Sequence, residues 1–428
     1  MVRTGTPVYI TGVGCMLPTG DSVLALWNCA LAGRSAITRY HSPWCRCSWL
    51  PWYGRVAAAD TAVAYRRFPA GFRRLCSEPV LWGIAAAERA VVDAELDLND
   101  IAPDRRGLFT AGSNCSAPGF HFHQEWTDNR GDEQERMALC FSEGIRQPAG
   151  SLSFSFTETT GTSLLTIAAR LFQCRGDSGT YGQDDWAAVT ALRAAFRSLR
   201  HGYSDLALVI CTNRSDEPWT LCEAYAHKQL SRCSDGAESL RPYDRRRDGM
   251  VLGEGAVALL LETERSVRRR GVTPLGELSA FGSMVVPSYE RRRRDAYAVC
   301  LEQVLYHSGL TPLQIGTLCA HGKGLWLGDP HELRMLECAL GPLTPTIPIT
   351  CMTPLTGVVS ATGVCIEVLI CLEMLRYQVV PPIAHLEEPE LTSLALCRCQ
   401  PVAFTGRHAL ALIFGLSGFH AAILLHSP

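Results

Sequence analysis

The sequence predicts an α/β fold, and three observations carry that prediction. Short apolar runs alternate with helical stretches along a chain of 428 residues. The opening run ends in glycines, as a buried strand entering a turn would. The same order restarts near Leu275, which suggests an internal duplication although no clean sequence repeat is visible.

In chain order, Val8-Tyr9-Ile10-Thr11-Gly12-Val13-Gly14 reads as a buried strand entering a turn. Residues 21–33 read as a helix with Leu24, Trp27 and Leu31 on one face and Gly33 ending it. An alanine-rich helix is expected over 79–96 and a strand over 106–112. A helix over 187–199 is followed by the strand Leu206-Ala207-Leu208-Val209-Ile210. Beyond Leu275 the reading is a strand, a helix over 296–308 and a strand over 316–320. The most apolar stretch, 409–425, is interrupted by Gly415, Ser417, Gly418 and His420. It reads as two strands around a tight turn, not a membrane span. No linker or low-complexity segment divides the chain, so one compact unit is expected, with halves at 1–262 and 263–428.

Composition narrows the function classes. The formal net charge is -2, which offers no footprint for nucleic acid or an anionic membrane. Lys228 and Lys323 are the only lysines, so nearly all positive charge is arginine. The 19 cysteines are scattered and odd in number, and the start MVRTGTP lacks a signal-peptide pattern. Reduced thiols in a cytoplasmic protein are expected. The pairs Cys45/Cys47 and Cys397/Cys399 are more closely spaced than structural zinc ligands usually are, and no metal is expected.

Several segments resemble the β-ketoacyl synthase family, in the family's order. The opening strand with Trp27 and Leu31-Ala32-Gly33-Arg34-Ser35 is similar to its start. Arg241-Pro242-Tyr243-Asp244, with Arg247-Asp248-Gly249-Met250-Val251-Leu252-Gly253-Glu254-Gly255-Ala256, resembles its RPFD…RDGFVMGEGA signature. His321-Gly322 with Gly328-Asp329-Pro330 resembles its HGTGT…GD loop, and Pro381-Pro382-Ile383 and 415–418 resemble later segments. The likeness covers essentially the whole chain. It implies the thiolase-like fold, a five-layer αβαβα arrangement of two duplicated halves, and a dimer.

The family's chemistry implies a cysteine thiolate at a helix N-terminus and two histidines that stabilise an enolate. Counting back from Arg200-His201-Gly202, the nucleophile position falls on Asp185, preceded by Asp184. A carboxylate attacking a thioester would form a high-energy mixed anhydride, and the helix N-terminus would blunt it further. The first histidine is retained as His321, while Lys323 and Leu325 replace threonines implied to contact the pantetheine arm. Counting back from Ala361-Thr362-Gly363 puts the second histidine at Gly357 and the preceding lysine at Met352. The aromatic gate position is Leu416. Glu254 and Asp329 are expected to hold loops near the pocket, and Arg241, Pro242 and Asp244 to brace the GEGA turn.

This pattern is similar to that of the chain-length factor, the β partner of type II polyketide ketosynthases. A second match supports it: Gly119-Phe120-His121-Phe122-His123-Gln124-Glu125 resembles a segment bordering the acyl tunnel in that subgroup. The resemblance implies that Phe120, Phe122, His123, Trp126 and Thr127 narrow the tunnel and set chain length. It also implies an active ketosynthase partner and an acyl carrier protein whose phosphopantetheine carries the substrate, with no further cofactor. Plainer readings stand beside these. Asp184 and Asp185 are first-turn acids favoured by the helix dipole, His321 is a core histidine, and Phe120, Phe122 and Trp126 pack an interface. Arg268–Arg270 and Arg291–Arg294 read as solvated charge runs, with carrier docking as the alternative. Two rival functions remain: a decarboxylase or hydrolase using Asp185 and His321, and a purely structural scaffold.

Overall fold

Ten strands hydrogen-bond into one sheet, and their order explains why the sequence pattern restarts. The computed structural model describes residues 6–40, 52–67, 76–112, 162–182, 185–216, 218–233, 235–286, 295–415 and 417–428. The first half contributes β1 (Val8–Met16), β2 (Arg106–Gly112), β3 (Ser178–Gly182), β4 (Leu206–Asn213) and β5 (Gly255–Thr263). The second contributes β6 (Gly276–Val285), β7 (Thr317–Ala320), β8 (Ile349–Cys351), β9 (His408–Phe414) and β10 (Phe419–His426). Across the sheet they run β8-β7-β9-β10-β6-β1-β5-β4-β2-β3. Each half therefore has the order third, second, fourth, fifth, first. The pairing also repeats: β2 is parallel to β3 and β4 as β7 is to β8 and β9, and the remaining neighbours are antiparallel. A short antiparallel contact, Tyr9 with Glu277 and Ile10 with Gly276, joins the halves.

Among the helices, those that matter for the layers are α1 (Val23–Leu31), α2 (Glu78–Asp93), α3 (Thr162–Leu171), α4 (Ala187–Arg200), α5 (Ala296–Ser308), α6 (Gly328–Leu340) and α7 (Gly363–Tyr377). Apart from α1, they sit in matching places, so α2, α3 and α4 correspond to α5, α6 and α7. Alternation along the strands separates the layers. On β4, Leu206, Leu208 and Ile210 pack with α2, whereas Ala207, Val209 and Cys211 pack with α4 and α7. On β9, Leu410, Leu412 and Phe414 face α5 and α6, whereas Ala409, Ala411 and Ile413 face the shared centre. Both sheet faces are covered, which is why these strands read as continuous apolar runs.

Close approach of helix to strand depends on glycine at matching places. A Cβ on Gly12 or Gly14 would lie 2.1 Å from the carbonyl of Ala90 or Ala86 in α2. In the second half, a Cβ on Gly282 would lie 2.0 Å from the Cys300 carbonyl in α5.

The elements differ from the sequence expectation mainly in the central layer. α7 is buried all round, from Val364 to Leu372 without a break, so it carries no polar stripe to announce it. The expected helix over 21–33 is shorter: Ser22 caps it by accepting from Ala25 N at 3.2 Å. The two strands expected over 409–425 are β9 and β10. Among the described residues, no helix is long and apolar enough to cross a membrane.

Candidate functional site

The site forms where β3, β7 and β8 end, at the carboxyl edge of the parallel strands. Asp185 follows β3 and precedes α4, His321 follows β7, and Met352 follows β8. The duplication thus brings together segments that are far apart in the chain.

The loop after β7 is held by two acids near the start of α6, Asp329 in its first turn and Glu332 just beyond it. Asp329 Oδ1 accepts from Lys323 N at 3.2 Å and Leu325 N at 3.1 Å, and Oδ2 accepts from Gly324 N and Tyr243 N at 3.0 Å each. Glu332 accepts from His321 N and Gly322 N at 3.0 Å each. Five consecutive backbone N–H groups, 321–325, are thereby satisfied by two carboxylates three residues apart. The Tyr243 and Tyr297 hydroxyls also donate to Glu332, each at 2.9 Å. Burial and the neighbouring Glu332 push Asp329 up to about 6, even against its backbone donors.

His321 is buried, and its Nδ1 lies 2.6 Å from Glu367 Oε1 on α7. Burial pulls the imidazole down, but the Glu367 charge and hydrogen bond outweigh it and raise its pKa. Burial pushes Glu367 itself up to about 7 against the pull of His321. His321 Nε2 has no hydrogen-bond partner among the described residues. Beside it, Met352, Gly357, Gly363 and Ile366 line a space of only about 10 Å³, room for about one water. Gly357 has φ +75°, and a Cβ there would lie 2.7 Å from the Leu252 carbonyl. An imidazole cannot be restored at this position without moving the backbone.

At the N-terminus of α4 stands a carboxylate. Asp185 is 2% exposed and forms an ion pair with the ammonium of Lys323, whose side chain is 3% exposed. Burial alone would raise the Asp185 carboxyl, but Lys323, His321 and a hydrogen bond from Ser360 hold it below its usual value. The helix dipole was the expected stabiliser of this anion. The N-cap residue is instead Trp186, and the counter-charge comes from a loop 138 residues away in sequence.

Among the described residues, a thiol does touch the His321 loop, but it is not placed as a nucleophile. Cys351 ends β8 and its Sγ donates to the His321 carbonyl at 3.3 Å, on the backbone side of the loop. Its burial pushes the thiol pKa strongly upward, so it stays protonated.

Other expected residues fall elsewhere. Phe120, Phe122, His123, Trp126, Thr127, Leu416 and Asp184 lie outside the described residues, as do Arg291–Arg294, Cys45 and Cys47. Glu254 is buried, accepts from Val56 N at 3.1 Å, and borders a separate cavity of about 330 Å³ with Arg55, Thr61 and Trp82. Burial and Asp216 push its pKa up to about 8. Asp244 does not brace the GEGA turn. It accepts from Glu387 N at 2.7 Å and Glu388 N at 2.8 Å and pairs with Arg246, while Arg241 pairs with Asp235 and Glu238. The arginine run ending at Arg270 is not uniformly solvated: Arg270 is 3% exposed and pairs with the fully buried Glu262. Cys397 is buried and Cys399 exposed.

Sequence reasoning missed Glu332 and Glu367. A single acid inside the apolar run from Val364 to Leu372 was the available signal for Glu367.

The two duplicated halves of the αβαβα arrangement, with a loop histidine and an acid before the central helix, define a condensing-enzyme scaffold of the thiolase-like fold. The chain belongs to the β-ketoacyl synthase family: residues 5–266 match its N-terminal domain and residues 283–387 its C-terminal domain. It is 26% identical to the tetracenomycin polyketide synthase ketoacyl synthase beta subunit of Streptomyces glaucescens, over 98% of both chains. It is 27% identical to the 3-oxoacyl-(acyl-carrier-protein) synthase 2 of Vibrio cholerae, over 90% of this chain and 89% of that one. The solved ishigamide ketosynthase/chain length factor superposes with a TM-score of 0.79 at 19% identity, covering 99% of this chain and 100% of that one.

Proposed function

We propose that this chain is the non-catalytic chain-length subunit of a heterodimeric type II polyketide ketosynthase. One observation carries the reading: the position aligned with the family's nucleophile holds a buried Asp185 already neutralised by Lys323. Absence of the second imidazole at Gly357 and of a lysine at Met352 supports it. In this account an active ketosynthase subunit supplies the thiol and both histidines. The substrate stays on the phosphopantetheine of an acyl carrier protein. This chain completes the tunnel, and Phe120, Phe122, His123, Trp126 and Thr127 limit its depth.

The test is co-purification with a thiol-bearing relative, followed by loading from malonyl- or acyl-carrier protein and intact-mass measurement of both chains. The partner should gain the acyl group and this chain should stay unmodified. An acyl adduct on this chain would overturn the proposal. His123→Gly should lengthen the product, and an unchanged product length would argue for a scaffold without influence on chain size.

The His321–Glu367 pair, with Nε2 open, supports a second reading: malonyl decarboxylation without acyl transfer. Release of carbon dioxide by the isolated chain, lost in His321→Ala, would favour it over the first.

A further inference from the structure

We infer that Lys323 is a resident occupant of this chain's own acyl site: with Asp185 it closes the space a thioester would need, and so directs carrier-borne chains to the partner subunit alone. The inference rests on the reading above and names the residue that enforces it.

The loop presents Lys323 inward and cannot easily withdraw it. Its own N–H and those of its neighbours are tied to Asp329 and Glu332. Gly322 and Gly324 on either side have φ of +47° and +72°, conformations that other residues adopt only with strain. A Cβ on Gly324 would also lie 2.7 Å from the Gly249 carbonyl. The main chain is therefore clamped, and the lysine stem must cross to the N-terminus of α4.

Charge makes the two substitutions interdependent. A buried carboxylate at 185 without a cation, or a buried ammonium at 323 without an anion, leaves an uncompensated charge. Together they form a neutral unit that fills the site from within. The space beside His321, lined by Met352, Gly357 and Ile366 and not by the pair, holds about one water and offers no alternative room for a thioester.

The test compares two double variants in complex with the partner, Asp185→Cys/Lys323→Ala and Asp185→Cys/Lys323→Met. Methionine keeps most of the lysine stem and removes the charge, whereas alanine opens the space. Acetyl-pantetheine is the probe. The thiolate introduced by Asp185→Cys attacks the thioester carbonyl, a new sulfur–carbon bond forms, and pantetheine leaves as a thiolate that takes up a proton. Peptide mass mapping reads the adduct against the 19 native cysteines. The alanine variant should be acylated at least 10-fold faster than the methionine variant, and equal rates would overturn the inference.

Should the alanine variant fail to fold, a second measurement decides. Asp185→Asn and Lys323→Met should each lower the urea midpoint, and the double variant should recover most of the loss. Additive losses would overturn the interdependence. Acylation of the wild-type chain would instead sink the non-catalytic reading itself, so the two failures are distinguishable.

Discussion

Replacing Asp329 by asparagine tests whether two carboxylates hold the loop that carries His321 and Lys323. Asp329 Oδ1 accepts two backbone N–H groups and Oδ2 accepts two more, all within 3.0–3.2 Å. Asparagine keeps one acceptor oxygen and turns an NH₂ group toward the other two donors. Each orphaned buried donor costs about 1–3 kcal/mol, so the loss is about 2–6 kcal/mol. Relief of repulsion from Glu332, which helps push Asp329 up to about 6, offsets part of it. A net destabilisation of about 2–4 kcal/mol is therefore expected at pH 7.5, within the upper range for single substitutions. Asp329→Ala removes the acceptors for all four donors and should cost more. Urea unfolding followed by circular dichroism measures both. A change below about 0.5 kcal/mol for asparagine, or alanine no worse than asparagine, would refute the reasoning, because a freely solvated loop has no such dependence.

Glu254 gives a pH signature away from the candidate site. Its pKa rises from 4.5 to about 8 on folding, so the folded chain holds a proton that the unfolded chain releases. Its stabilising contribution is present below pH 4.5 and is lost as pH rises through 8, by about 3–4 kcal/mol between pH 5 and 8. Glu254→Gln should lose correspondingly less stability over that range in urea melts, and parallel profiles for the two proteins would count against it. Within the arginine run, Arg270→Ala leaves buried Glu262 unpaired and should cost about 3–5 kcal/mol. Arg268, 77% exposed in its pair with Glu264, should change stability by less than about 0.5 kcal/mol when replaced by alanine. Equal effects in thermal or urea unfolding would show that the run acts as a single solvated patch.

What the amino-acid order determined was the scaffold and the vacancy. Continuous apolar runs report buried strands because burial on both faces leaves no place for polar residues. The opening run, however, does not turn at its glycines: β1 continues through Gly12 and Gly14 to Met16. The restart near Leu275 is the repeated strand order of the two halves. The missing thiol before α4 was legible because a helix end and its flanking turn are local features that can be counted. Tertiary structure alone decided what fills that vacancy. Asp185 and Lys323 are 138 residues apart, and His321 and Glu367 are 46 apart, so no periodicity relates them. α7 was hidden for a related reason: a helix enclosed on all sides loses the polar stripe by which sequence announces it. Local patterns record how much of a residue is buried. Which charge meets which depends on how the duplicated halves close over one another.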